Sequence, residues 1–443
     1  MRLLYTIGIR LYSLGVRVAA LFGNAKAVKW IEGRRKQGSL SLRALRPLEG
    51  SKGPTQEEPV LRQAQEPDSC DWIWFHAASL GEFEQGRPVI EALKQRHPEL
   101  KVTLTFFSPS GYEVRKDYPL ADEVLYLPSD TPAHAAQWVQ RRHFVAAVFI
   151  KYEFWFNYMQ ALKEAGIPLF YISLILKEES FFFKPYGTWF RKQLDCVTHF
   201  FVQDETTAKL LKTNGLNNFT VCGDTRFDRV AAIARQAKAF PEIERFIDGR
   251  KCIIAGSTWP PDERLLAAFL SQLPEDYCLI LAPHDVSEPH VAQIKGMFPE
   301  AQLYTELSSD ELRPLSLSKG RLNKILVINT IGILSQLYQY ARFVYIGGGF
   351  GVNIHNIQEP VTFGCPVVFG PKYTDFKEAV DLVALGGAFS VADAESLSQV
   401  FLRLMGDDGQ CENASEVCRD YLKSQLGATE TIMKKLSQFR FLP

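Results

Sequence analysis

Residues 343–360 read Phe-Val-Tyr-Ile-Gly-Gly-Gly-Phe-Gly-Val-Asn-Ile-His-Asn-Ile-Gln-Glu-Pro, an apolar run from Phe343 to Gly347 that breaks into glycines and then into polar side chains. A strand that ends in glycine before a helix is the signature of a parallel α/β sheet. The turn is a place where main-chain N–H groups open towards an anion. Gly347, Gly348, Gly349 and Phe350 are therefore expected to lie against a ligand, with His355 beside it and Asn356 and Glu359 selecting sugar or ribose hydroxyls. The stretch is not a dinucleotide fingerprint, because the third position of GxGxxG falls on Val352.

Outward from this stretch, strands and helices alternate. Apolar runs Trp72 to Ala77, Lys101 to Phe107, Glu123 to Leu127, Ala146 to Ile150, Leu169 to Leu174 and His199 to Gln203 form a first series. A second holds Cys252 to Gly256, Cys278 to Ala282, Lys324 to Ile328, Phe343 to Gly347, Pro366 to Phe369 and Ala388 to Val391. Helical patterns between them predict two Rossmann-like halves joined near residues 223–250.

At 443 residues, 46% hydrophobic and 23% charged, the chain is long enough for two cores. Lys plus Arg and Asp plus Glu both total 50, which argues against a nucleic-acid footprint spread over the protein. The eight cysteines contain no CxxC pair and read as buried thiols in a reducing compartment. No HxxxH, HExxH or Asp-x-Asp pattern is present, so no metal is expected.

The N-terminus departs from this balance. Residues 1–46 carry ten Lys and Arg against Glu32 alone, a net charge of +9. Leu4, Ile7, Leu11, Leu14, Val18 and Leu21 fall on one helical face, opposite Arg2, Arg10 and Arg17. Residues 1–22 are expected to lie in a membrane interface as a peripheral or monotopic element, the arginines interrupting a span and the basic cluster attracting anionic lipid. The other reading is a helix packed on the protein's own core. Residues 37–70 are polar and without period, as in a loop insert. Within them Leu45 to Gly53 recurs as Leu312 to Gly320 with seven of nine positions identical, and both copies read as inserts (37–70 and 308–321) without a catalytic part.

Several strand ends carry polar residues at the sheet edge where open α/β sheets bind ligands. His76-Ala77-Ala78-Ser79-Leu80-Gly81-Glu82 opens a helix, and Glu82 is either half of a capping box with Ser79 or a general base. Glu153, among Tyr152, Phe154 and Trp155, is either an acid paired with Lys151 or an arginine, or a proton-transfer group raised by burial. Ser257 and Thr258 follow one strand of the second half and Pro283, His284 and Asp285 another. Each has a plain alternative, as a helix cap or a loop histidine. Gly364 to Pro366 and Gly370-Pro371 read as turn punctuation.

Taken together these residues resemble the 3-deoxy-D-manno-octulosonic acid (Kdo) transferases of lipopolysaccharide assembly, over nearly the whole chain apart from the inserts. Ala78 to Glu82 looks like the family's ASxGE, Glu153 to Asn157 like ETELWPN, Gly223 to Asp228 like G-x-x-K-F-D, Gly256 to Thr258 like GST, and the opening stretch like GGS…GGHN…LEP. The resemblance implies the GT-B fold: two Rossmann-like domains with parallel sheets facing across a cleft. It implies an acceptor domain (23–224), a donor domain (225–421) and a C-terminal helix (422–443) returning to the first. It further implies inverting, metal-independent transfer of Kdo from CMP-Kdo to a lipid A precursor of the lipid IVA type at the cytoplasmic face of the inner membrane, without a cofactor. Glu82 would be the base and Glu153 a second acid near the reacting centre; Ser79 and Gly81 would contact substrate. Ser257, Thr258, Pro283, His284, Gly347, Gly348, Gly349, Phe350, His355, Asn356 and Glu359 would hold the donor. The chain departs from the pattern at Lys151, Phe156, Arg226 and Asn353-Ile354, and at His284-Asp285, where the family offers Arg-His. Alternatives are another GT-B enzyme using a UDP-sugar, or a non-catalytic lipid or nucleotide binder in which Glu82 only caps its helix.

Overall fold

The structure, a computed structural model, describes residues 1–44, 70–307 and 323–439. Both copies of the nine-residue repeat lie outside the described residues. The chain divides into one compact unit of Met1–Arg226 with Gly427–Pro443 and a second of Phe227–Leu426, so it crosses between them inside the helix Thr225–Arg235.

The first unit is built on strands β1 (Trp72–Ala77), β2 (Lys101–Phe106), β3 (Glu123–Tyr126), β4 (Phe144–Ile150), β5 (Leu169–Leu174), β6 (His199–Val202) and β7 (Phe219–Val221). Their order is β3-β2-β1-β4-β5-β6-β7, with every pair parallel. Both faces are covered, which is why β1 and β5 are buried at every position rather than alternately. On one face Trp74, Phe149 and Tyr171 pack with Trp138, Tyr158 and Leu162. On the other, Phe75, Leu104 and Ile172 meet Phe83, Val89 and Ile90, joined by Ile432, Met433 and Leu436 of the helix Ala428–Leu436.

The second unit repeats the plan with β8 (Lys251–Thr258), β9 (Tyr277–Pro283), β10 (Gln302–Leu303), β11 (Ile325–Val327), β12 (Ala341–Ile346), β13 (Val367–Phe369) and β14 (Ala388–Ser390). Their order is β10-β11-β9-β8-β12-β13-β14, again parallel throughout. Ile253 faces one apolar layer with Leu266, Phe269 and Phe401, and Ile254 the other with Leu337, Tyr338 and Ile346. The two strands that sequence reading does not show, β7 and β10, span three and two residues, too short for any period to register.

Two helices precede the first sheet, α1 (Arg2–Leu21) and α2 (Ala25–Ala44). Residues 37–44, expected in a loop, instead continue α2. Gln37 explains the extension: its amide accepts the Tyr126 N–H at 2.8 Å and donates to the Tyr126 carbonyl at 2.9 Å, adding its side chain to the edge of β3 as a strand would. Arg34, one turn earlier, donates to the carbonyls of Leu127 and Phe107. α1 is held at its start, where Tyr5 donates to Asp130 at 2.6 Å and Arg2 to Asn157 at 3.0 Å. Asp130 also accepts the N–H groups of Asn157 and Tyr158, which open the helix Phe156–Glu164. Beyond that anchor the apolar face of α1 is bare, with Leu11 62% and Leu21 85% exposed. By length and composition α1 is apolar enough to cross a membrane, despite Arg10 and Arg17.

Trp74 centres the first core: it is fully buried, its ring meets Phe149 at 4.9 Å and Tyr158 at 5.5 Å, and its Nε1 donates to Thr105 at 2.7 Å. Trp74→Ala is expected to destabilise the first unit by about 3–5 kcal/mol. In a urea titration followed by circular dichroism, an unchanged first-unit transition would contradict that placement.

Candidate active site

In the first unit β1 lies between β2 and β4, so the chain leaves β1 towards one side of the sheet and later returns on the other. The crevice beyond the carboxyl ends of β1 and β4 is the switch point where such sheets bind ligands. From β1 comes α3 (Leu80–Arg96), with Glu82 in its first turn. Ser79 occupies the N-cap with extended backbone (φ −138°), yet its hydroxyl makes no cap bond. The hydroxyl half of the capping box is missing, and Glu82 Oε2 accepts the Ala78 N–H, one residue before the cap, at 2.5 Å. Gly81 is exposed beside it with open space where a Cβ would stand.

Burial raises the Glu82 carboxyl to about 7, and the negative field of Glu153 adds to the rise. Hydrogen bonds from the Ala78 and Ser79 N–H groups and the charge of Lys151 oppose it without cancelling it. Such a carboxyl exchanges its proton near neutrality, the range in which a general base works best.

Glu153 follows β4 and has partners other than the lysine or arginine expected. Its Oε2 accepts Trp155 Nε1–H at 2.8 Å and lies 3.3 Å from His76 Nε2. Trp155 Nε1 is also 2.8 Å from His76 Nε2. Tyr171 donates to the Glu153 carbonyl at 2.8 Å, holding the loop from below. Lys151 and Ser173, at the ends of β4 and β5, take positive φ of 60° and 55°, a conformation rarely adopted by non-glycine residues and concentrated at functional sites.

The second unit places its switch point between β8 and β12, so the Ser257 and glycine segments end side by side. Ser257 has φ 53° and is partly exposed. Thr258 is not available to a ligand as expected: it is fully buried and donates to Glu263 at 3.1 Å. The glycine run also needs correction. Gly347 N–H donates to the Gly256 carbonyl at 3.0 Å and Gly348 N–H to Asp262 at 3.0 Å, so neither points at solvent. The glycines are there for closeness. A Cβ on Gly347 would stand 2.4 Å from the Ser257 carbonyl, and one on Gly349 2.7 Å from Gly370. Asp262, itself buried, further accepts the Trp259 N–H at 2.9 Å and the Tyr345 hydroxyl at 2.7 Å. Pro283 is buried at the end of β9 and Phe350 half-buried against Gly370.

At the rim stand His284, His355, Asn356 and Glu359. The His284 ring stacks on Trp259 and on His355, both at 4.6 Å, and Trp259 donates to His355 Nε2 at 2.8 Å. Burial and the neighbouring His284 push His355 down. Asn356 caps the Gln358 N–H at 2.9 Å and donates to Glu359 at 3.2 Å. Burial raises Glu359, against the pull of Asn356 and Arg229. Two rim residues escape sequence reading. Trp259 is 40% exposed, and its one signal is a large aromatic directly after Gly-Ser-Thr. Lys372 donates from Nζ to the Gly351 carbonyl at 2.5 Å, a contact made only by the fold. Among the described residues no group of three His, Cys, Asp or Glu is placed to hold a metal.

With this geometry in hand, comparison with known proteins gives a consistent picture. Residues 50–229 match the family described as 3-deoxy-D-manno-octulosonic-acid transferase (kdotransferase). The chain is 25% identical over 392 residues to the 3-deoxy-D-manno-octulosonic acid transferase of Bordetella pertussis, covering 83% of this chain and 87% of that protein. It is 24% identical over 324 residues to that of Aquifex aeolicus, covering 71% and 81%. In structure it resembles the UDP-GlcNAc 2-epimerase of Neisseria meningitidis, with TM-score 0.58 at 14% identity over 83% of this chain and 100% of that one. That likeness concerns the fold alone, and the expected GT-B-like pair of parallel-sheet α/β domains is what is observed. The family match over residues 50–229 and the likeness to these transferases over most of the chain support a Kdo transferase.

Proposed function

We propose that the protein transfers Kdo from CMP-Kdo to a lipid A precursor of the lipid IVA type, with inversion and without a metal, in lipopolysaccharide synthesis. The observation that carries this reading is the Glu82 carboxyl, raised to about 7 by burial and by Glu153 at the first switch point. Glu82 takes the proton of the acceptor hydroxyl as that oxygen bonds to the anomeric carbon of Kdo. The bond from that carbon to the phosphate oxygen breaks, and its electron pair leaves with CMP. Because CMP is a good leaving group, the protein's task is to orient the acceptor, remove its proton and stabilise phosphate charge. In the second unit Ser257, His284 and His355 supply side-chain donors for that phosphate, Lys372 a positive charge, and Asn356 and Glu359 groups for hydroxyls.

A base must be ionised to act, so kcat/KM is expected to fall about tenfold per pH unit below about 7 and to level above it. Glu82→Gln keeps the shape and an acceptor for the Ala78 N–H, yet should lose about 100- to 10,000-fold in kcat. Full activity in that variant, read by mass spectrometry of the lipid product, would refute the base role.

Donor choice has its own test. CMP at a hundred times its Kd should stabilise the protein by about 2.7 kcal/mol, seen as a raised Tm. Stabilisation by UDP and not by CMP would sink the CMP-Kdo assignment.

We further place the protein on the cytoplasmic face of the inner membrane, held by α1. The support is the bare apolar face of Leu4, Leu11, Leu14 and Val18 together with the basic residues 26–36. Leu11→Glu with Leu14→Glu should cut binding to anionic vesicles at least tenfold in sedimentation assays, and unchanged binding would overturn the role of α1.

A further inference from the structure

We propose that residues 181–190 form a second membrane contact, which seats the exposed rings of Phe181 and Tyr186 in the interface of an anionic bilayer. The contact extends the reading of α1 as a membrane helix to a surface that stands beside it.

Residues 181–190 read Phe-Phe-Phe-Lys-Pro-Tyr-Gly-Thr-Trp-Phe, six aromatics in ten positions between β5 and β6. Two tight turns, Phe181–Phe183 and Pro185–Gly187, lead into the short helix Thr188–Gln193. The Gly187 N–H donates to the Lys184 carbonyl at 2.8 Å, and a Cβ on Gly187 would collide with the Phe181 carbonyl, so the second turn lies folded against the first. Four of the six rings support this packing. Phe182 is buried and T-shaped against Phe154 at 4.6 Å, Trp189 and Phe190 each meet Phe156 at 5.4 Å, and Phe183 packs on the same core. The other two face solvent: Phe181 is 38% and Tyr186 69% exposed.

The surroundings favour a bilayer as the occupant. Tyr5 of α1 meets Phe156 at 5.0 Å and Trp189 at 6.2 Å, so the segment shares its support with the first turns of α1, where Leu3 is 73% and Leu4 63% exposed. Residues 177–192 carry four basic and two acidic side chains, with Lys184 between the two exposed rings in sequence and Lys192 exposed. A tyrosine with an apolar ring and a wet hydroxyl, flanked by lysines, suits a membrane–water interface, where anionic lipid attracts the cations. A single interfacial helix leaves a protein free to roll about the helix axis. A second contact off that axis fixes which side faces the lipid. This one is rooted on Phe154, the neighbour of Glu153, so the surface that meets the bilayer is tied to the crevice where a lipid acceptor must arrive.

The test uses full-length protein and vesicles of phosphatidylethanolamine with phosphatidylglycerol that hold no acceptor. Tyr186→Glu should lower vesicle binding about tenfold in sedimentation, as the loss of one buried aromatic ring implies, while Tyr186→Trp should bind as the native protein does. In Tyr186→Trp, brominated phospholipid should quench a larger share of the fluorescence than in the native protein, because the added indole meets the acyl chains. Native binding by Tyr186→Glu, or an added tryptophan that bromine does not quench, would overturn the proposal. So would a dimer of the native protein that Tyr186→Glu breaks while vesicle binding stays, since the rings would then serve a second copy. Transfer by Tyr186→Glu should fall when the acceptor lipid sits in vesicles and hold steady when it sits in detergent micelles. An equal loss in both would put Tyr186 at the acceptor itself and overturn the bilayer role. The α1 reading fails separately: Leu11→Glu with Leu14→Glu would then leave binding intact while Tyr186→Glu still lowers it.

Discussion

A parallel sheet that starts at its middle strand must send its chain out on both sides of that strand, and right-handed crossovers then carry the two neighbouring helices to opposite faces. Nothing fills the space beyond the strand ends where those paths diverge. In this chain the constraint operates twice, between β1 and β4 and between β8 and β12, and the polar residues of each unit collect at those two points. Glu82 and Glu153 come to one crevice because they are the first carboxylates after the strands on either side of it. Ser257 and the glycine run meet at the other for the same reason.

Placing polar groups at buried strand ends requires partners for them, and each unit uses a buried aspartate. Asp130 gathers the Tyr5 hydroxyl and the N–H groups of Asn157 and Tyr158, tying α1 to the segment that follows Glu153. Asp262 gathers the Tyr345 hydroxyl and the N–H groups of Trp259 and Gly348, tying β12 to the end of β8. Such carboxylates hold loops in place because removing either partner leaves an unmet charge in the interior. The positive φ of Lys151, Ser173 and Ser257 is sustained in the same settings, each at a cost of about 1–3 kcal/mol that the surrounding contacts must offset.

The strands and their two series were legible because parallel strands buried on both faces leave continuous apolar runs. β7 and β10 were not, being too short to leave a run. The helical extension through Gln37 was hidden because its cause is a pair of hydrogen bonds to Tyr126, a residue 89 positions away. Glu82 and Glu153 stood out as carboxylates after apolar strands, yet their mutual influence depends on β1 and β4 being neighbours, which no local pattern states. His76 read as part of a motif. Its meeting with Glu153 and Trp155 across 77 and 79 positions is a product of the same strand pairing.

The glycine segment shows that glycine can serve main-chain packing where ligand contact was expected. Glycine admits a ligand to the main chain, and it equally admits another stretch of main chain. Here the second use wins, since β12 leaves the sheet so close to Ser257 and Gly370 that a side chain would collide with either. The N–H groups of Gly347 and Gly348 then satisfy acceptors of the unit itself. The helix after β8 opens with Pro260-Pro261, which have no N–H to offer, and Asn356 occupies the first N–H of the helix Gln358–Thr362. An anion at this switch point must therefore be met chiefly by side chains, and the imidazoles of His284 and His355, the Ser257 hydroxyl and the Lys372 ammonium are the groups at hand.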